Sequence, residues 1–142
     1  MRAVIQRVLS ASVTVDGQVV GAIDEPGLLV YLGVTHDDGP QEIAWTVGKI
    51  RDLRLLRDEQ SVSDAGAPVL VISQFTLYGD GRKGRRPTWL AAAPQPVSEP
   101  AYDAVCEALS RDGIRVERGL FGADMRVASV GDGPVTLIIE SP

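Results

Sequence analysis

The sequence predicts a layered α/β domain: a β-hairpin, then two strand–helix units, then three strands, with the helices packed on a curved mixed sheet. Three observations carry this. Short apolar or alternating stretches flank an Asp16-Gly17 turn signal near the start. Two strongly apolar runs, 28–34 and 69–77, are each followed further along by a segment with apolar residues at helical spacing. Three more short apolar stretches close the chain, and neither an internal repeat nor a linker divides it, so residues 1–142 read as one domain.

The elements follow in order. Ala3-Val4-Ile5 and Ser12-Val13-Thr14-Val15 precede the turn, and Val19-Val20-Gly21-Ala22-Ile23 follows it. The run 28–34 reads as a strand buried on both faces, because it shows no polar alternation. Pro40 suits a first helical turn, and Ile43, Val47 and Ile50 recur at helical spacing, which predicts a helix over about 40–52. Residues 57–67 are polar and rich in turn formers, a loop with room for a strand at its 53–56 end. The run 69–77 is the second buried strand. After the connector Ala91-Ala92-Ala93-Pro94-Gln95-Pro96, Ser98 is the expected cap of a second helix. That helix carries Tyr102, Val105, Cys106 and Leu109 on one face, and Gly113 stops it. Strands over 114–117, 125–130 and 135–139 complete the chain.

Length and composition exclude several classes. A chain of 142 residues buries roughly 68–70% of its unfolded surface, enough for a core without disulfides or a structural metal. The single cysteine, Cys106, forms no intrachain disulfide, and one His with one Cys does not furnish a zinc site. No segment nears 18 apolar residues, and the first residues lack the apolar stretch of a signal peptide. The expectation is a cytoplasmic protein with no membrane partner and no cofactor. A net charge of −5 disfavours indiscriminate nucleic-acid binding but leaves room for a local basic patch. Arg82, Lys83, Arg85 and Arg86 form one among glycines, readable as a solvated loop or as a polyanion contact.

Familiar catalytic sets are missing. The only histidine, His36, lies in a turn-like segment, and no Gly-x-Ser-x-Gly elbow or Walker-type loop occurs. Cys106 reads as core. A polar group at the end of a buried strand is more informative. Ser73-Gln74-Phe75-Thr76 interrupts an apolar run with three hydrogen-bonding side chains, which must be satisfied or functional, since an unpartnered buried one costs about 1–3 kcal/mol. Gly131-Asp132-Gly133-Pro134 reads either as a turn before the last strand or as a place where an X-Pro bond adopts the cis form at low cost.

Together, Ser73-Gln74-Phe75-Thr76-Leu77-Tyr78-Gly79-Asp80 and Gly133-Pro134-Val135-Thr136 resemble the paired signature of D-aminoacyl-tRNA deacylases. Gln6-Arg7-Val8, Gly33-Val34-Thr35-His36-Asp37-Asp38 and Lys83-Gly84-Arg85-Arg86-Pro87 are similar to that family too, in the expected order along nearly the whole chain. Gly131, where members commonly carry Asn, and Trp89, where Phe is usual, depart from the pattern.

The resemblance implies an ester hydrolase that removes D-amino acids, and glycine, from tRNA while sparing L-aminoacyl esters. It implies a homodimer in which Gly133 and Pro134, joined by a cis bond and held by Arg7, reach into the partner's site as a chirality filter. It places the terminal adenosine against Ser73 and Gln74 with Phe75 near its base, and makes aminoacylated tRNA, not DNA, the partner. Catalysis would rest on main-chain groups and the RNA 2′-hydroxyl, with a backbone N–H near Phe75 stabilising the oxyanion and the Thr76 hydroxyl orienting ester or water. Arg82, Lys83, Arg85 and Arg86 would meet acceptor-stem phosphates. The alternatives are a non-catalytic RNA-binding module and a general small-ester hydrolase or amidase.

Overall fold

In the computed structural model, which describes residues Met1–Pro142, one long strand organises the sheet. Strand β1 (Arg2–Val15) joins the two stretches that the sequence suggested separately. It accommodates Gln6, Arg7 and Ser10 because their side chains are only partly buried. Along one edge run β3 (Gly27–Gly33) and then β2 (Gln18–Ile23), both antiparallel. Along the other runs β6 (Arg126–Glu140), also antiparallel. The hairpin turns at Asp16 and Gly17, both at positive φ, as that turn signal requires. Strands β4 (Val69–Ser73) and β5 (Val116–Arg118) extend the sheet in parallel, giving the order β2-β1-β3-β4-β5 with β6 on the far side of β1. The sheet curls until its ends meet. Gly21 of β2 lies so close to the Arg118 backbone of β5 that a Cβ there would collide.

The mixed parallel and antiparallel pairing and the helices on one face agree with the predicted class. Helices α1 (Pro40–Asp52) and α3 (Gln95–Arg111) cover one face of the sheet, with the short α2 (Val62–Ala65) beside them. Between helices and sheet lie Ile5, Leu28, Val30, Val69, Val71, Ile50, Val105 and Leu109. Inside the curl lie Val8, Val13, Ile23, Leu29, Leu70 and Ile72. Odd and even residues of β4 thus enter different cores, which is why its sequence is apolar throughout. Each such side chain contributes roughly 1.5–3 kcal/mol on burial. No helix is long and apolar enough to cross a membrane.

Helix α1 spans the predicted residues, with Pro40 in its first turn and the Glu42 carboxylate accepting from the Gly39 N–H at 2.8 Å. Other boundaries differ from the sequence reading. Helix α3 starts a turn before Ser98, capped by Pro94, because Pro96 in its first turn needs no N–H partner. Ser98 Oγ donates back to the Pro94 carbonyl at 3.1 Å. Residues 53–56 form no strand, and the expected loop after them contains a 3-10 turn, Arg57–Glu59, and the Ser61-capped α2. Strand β4 ends at Ser73, and Phe75–Tyr78 is a 3-10 turn.

The last two expected strands are one. Strand β6 runs unbroken from Arg126 to Glu140, and Gly131-Asp132-Gly133-Pro134 is a bulge within it, not a turn. Gln6 pairs with Thr136 and Val8 with Gly131, so β6 spends several more residues than β1 over this stretch. The excursion also exchanges the faces: Val127 points into the curl, whereas Ile139 packs toward the helices. Past the bulge, Arg2–Glu140, Val4–Ile138 and Gln6–Thr136 form cross-strand pairs, with Ile138 67% exposed.

Candidate active site

The parallel ladder ends where the Gln74 N–H donates to the Leu32 carbonyl at 2.8 Å. The chain then tightens into the 3-10 turn, closed by Leu77 N–H to Gln74 O at 3.2 Å and Gly79 N–H to Thr76 O at 2.9 Å. The first N–H groups of such a turn, those of Phe75 and Thr76, have no acceptor inside it. The carboxyl ends of strands are where α/β sheets bind ligands. A cavity of about 350 Å³ opens here, with Ser73, Gln74, Gln95 and Ser98 as its polar lining and Ile72, Phe75, Phe121, Met125 and Val127 among its apolar walls.

Ser73, Gln74 and Phe75 therefore line one cavity, as their spacing suggested, while Thr76 stands outside the lining. The Gln74 side-chain amide donates to Thr76 Oγ, which leaves the hydroxyl hydrogen free to donate elsewhere. Phe75 is 53% exposed and meets Trp89 edge to face. Arg2 ties this turn to the β1–β6 ladder, donating to the Leu77 carbonyl at 2.6 Å and to Glu140 at 2.9 Å. Burial pushes the nearby Tyr78 phenol up to about 12.

The bulge forms a second locus. The Gly133–Pro134 bond is cis. Arg7 Nε donates to the Asp132 carbonyl at 2.8 Å, and Arg7 Nη1 to the Leu55 carbonyl at 3.2 Å. The Asp132 carboxylate accepts from Arg57 Nη2 at 2.6 Å and Nε at 3.3 Å. The Arg57 guanidinium, and after it Arg7, holds that carboxyl below the usual carboxylate range. Gly133 has φ +147°, and a Cβ there would lie 2.6 Å from the Val135 nitrogen, so only glycine fits. Gly133 and Pro134 are exposed and line no part of the cavity beside Ser73. One chain keeps the two loci apart.

The basic segment is a small hairpin, its base closed by Asp80 and Thr88 exchanging backbone hydrogen bonds of 2.9 Å. Arg82 grips Asp80 with two bonds, 2.9 and 2.6 Å, and draws that carboxyl down to about 2. Lys83, Arg85 and Arg86 are exposed and have no ion-pair partner in the chain. His36 is bonded through Nε2 to the Leu90 carbonyl at 2.8 Å, and burial raises the Cys106 thiol to about 11. No nucleophile–base pair emerges, and no three acidic, His or Cys side chains gather to hold a metal.

Sequence reasoning missed Arg57, Asp132, Gln95, Ser98, Phe121 and Met125. The acid beside Gly133 and the polar residues opening α3 left faint signals; Arg57, inside a polar loop, left none.

The profile of the family described as D-Tyr-tRNA(Tyr) deacylase matches residues 4–140. A protein named D-aminoacyl-tRNA deacylase from Thermobifida fusca is 65% identical over 99% of both chains. Another so named, from Kineococcus radiotolerans, is 60% identical over 99% of this chain and all of its own. Among solved structures, one titled c-Myc DNA unwinding element binding protein superposes with a TM-score of 0.92 at 40% identity, covering 100% and 99% of the two chains. A probable eukaryotic D-amino acid tRNA deacylase, at 18% identity and a TM-score of 0.85 over 97% of each chain, shares the fold. With the profile and the relatives both spanning nearly every residue, the chain belongs to the D-Tyr-tRNA(Tyr) deacylase family.

Proposed function

We propose that this protein is a D-aminoacyl-tRNA deacylase, a carboxylic ester hydrolase that releases free D-amino acid or glycine from tRNA and spares L-aminoacyl-tRNA. The observation that carries the reading is near-full-length identity to proteins named for this activity. The site's chemistry supports it. An aminoacyl ester is already labile, so oriented N–H donors and a held water suffice where no protein nucleophile is present. The Phe75 and Thr76 N–H groups are the donors for the developing oxyanion, and the free Thr76 hydroxyl hydrogen orients ester or water. Ser73 and Gln74 hold the terminal adenosine with Phe75 against its base.

The filter acts between two copies. Gly133 and Pro134, anchored by Arg7, enter the partner's site and bind the substrate's amino group through their carbonyls, leaving no room for an L side chain. Separation of bulge and cavity within one chain favours this arrangement, as does the exposed Ile138 on the ladder beside the Phe75 turn. Lys83, Arg85 and Arg86, with Arg82 behind them, contact phosphates of the acceptor stem. Hydrolysis of D-tyrosyl-, glycyl- and L-tyrosyl-tRNA by the purified protein tests the reading. Loss of the first two esters with the L-ester intact is expected; protection of all three would identify a binding module, and equal cleavage of both enantiomers would remove the filter.

A further inference from the structure

We propose that Arg57 is a positioning residue for the Gly133–Pro134 loop, acting through Asp132 to set the filter's selectivity. This rests on the filter reading above. The bulge leaves residues 132–135 without ladder partners in β1, so something else must fix the loop's orientation. Asp132 does so from both ends of the residue. Its carbonyl is held by Arg7, and its carboxylate by the two-point grip of Arg57, with Arg7 Nε a further ion-pair contact 3.3 Å from Oδ2. Arg7 bonds the carbonyl and meets the carboxylate only at 3.3 Å, whereas Arg57 supplies the short 2.6 Å side-chain bond and a second beside it; that tighter hold limits rotation about the residue and fixes where the Gly133 carbonyl points.

Arg57 is itself well placed to act as a fixed post. It opens the 3-10 turn, follows the buried Leu56, and comes two residues after the carbonyl that Arg7 also engages. Arg7 thus links the bulge and the 55–57 segment, and Arg57 closes the ring back onto Asp132. The Arg57 side chain is 68% exposed and its only ion pair is Asp132, whose carboxylate is 12% exposed. An arginine so exposed adds little to global stability, so its main effect is on the loop. Its planar fork matches the carboxylate at two points, which a lysine does not reproduce.

The test compares hydrolysis of D-tyrosyl- and L-tyrosyl-tRNA by wild type, Arg57→Ala, Arg57→Lys and Asp132→Asn, alongside thermal unfolding. Expected are a fall of about tenfold or more in the D-over-L ratio for Arg57→Ala, as sub-ångström misplacement in a site produces, a smaller fall for Arg57→Lys, and an unfolding midpoint close to wild type. A wild type that does not discriminate would sink the filter reading itself. A wild type that discriminates, with an Arg57→Ala ratio equal to it, would overturn this proposal alone. Should Arg57→Ala fail to fold, Asp132→Asn, which keeps the residue's shape, decides: an unchanged ratio overturns the proposal and a lowered one supports it.

Discussion

Phe75 and Trp89 meet edge to face, their ring centroids 5.5 Å apart and their planes at 74°. The contact braces an aromatic ring that projects half-exposed just past the end of β4. Such a pair contributes about 0.5–1.5 kcal/mol beyond its buried area. Trp89→Ala is therefore expected to lower the urea midpoint by a stability loss of that order and to raise KM for D-aminoacyl-tRNA several-fold. Trp89→Phe restores a ring at the same place and is expected to recover most of both.

Gly133→Ala tests the bulge directly. The added methyl would press on the Val135 backbone nitrogen, so the loop must shift. Strain at this φ should also lower the unfolding free energy by about 1–3 kcal/mol. D-ester hydrolysis should fall by about tenfold or more. An alanine variant with wild-type rates would show that the loop's geometry is not used.

The Asp132 carboxyl is expected to titrate below the ordinary value of about 3.9, because Arg57 hydrogen-bonds its charged form. Since the folded value is depressed, the stabilisation it brings is fully present above that ordinary value. It is lost as pH falls through the lower folded one. Carbon-detected NMR of the Asp132 carboxyl would read the midpoint directly, and Arg57→Ala should move it back upward.

Salt dependence should separate the four cations of the 80–88 hairpin. Arg82 is already neutralised by Asp80, whereas Lys83, Arg85 and Arg86 are not. Removing one cation that meets a phosphate flattens the log–log slope of binding by about 0.7–0.9. Replacing Lys83 and Arg85 by Ala should flatten it by nearly twice that; Arg82→Ala should change it less. Equal slopes throughout would make the hairpin an ordinary solvated loop.

Thr46, in the middle of α1, has its hydroxyl buried with no hydrogen-bond partner. Thr46→Val keeps the shape and removes the orphan. A gain of about 1 kcal/mol in unfolding free energy is expected, measurable by chemical denaturation with activity unchanged.

The helix over 40–52 was legible because Pro40 and the Ile43–Val47–Ile50 spacing state the same thing locally. So were the buried strands β3 and β4, whose apolar runs reflect burial on both faces. The unity of β6 was not, because glycine, aspartate and proline carry turn chemistry whether they end a strand or bulge within it. What resumes the ladder beyond the bulge is β1 alongside, a long-range fact absent from local sequence. Residues 73–75 line a cavity, as their spacing suggested, but its walls also draw Phe121 and Met125 from far along the chain, with no signal in either. Arg57 was invisible for the same reason: its meaning lies in a carboxylate 75 positions away.

Strand β6 has a neighbour on one side only, so its other edge presents unpaired amide groups to whatever chain comes near. A flat edge of this length would be a ready template for association with strands of other molecules. The bulge divides it into two straight stretches, 126–130 and 136–140, each shorter than the six or seven residues that intermolecular β-stacking typically recruits. Between them the edge kinks, and Pro134 offers no N–H. The same interruption that sets Gly133 and Pro134 out from the ladder therefore also guards the protein against sticking to its own unfolded copies.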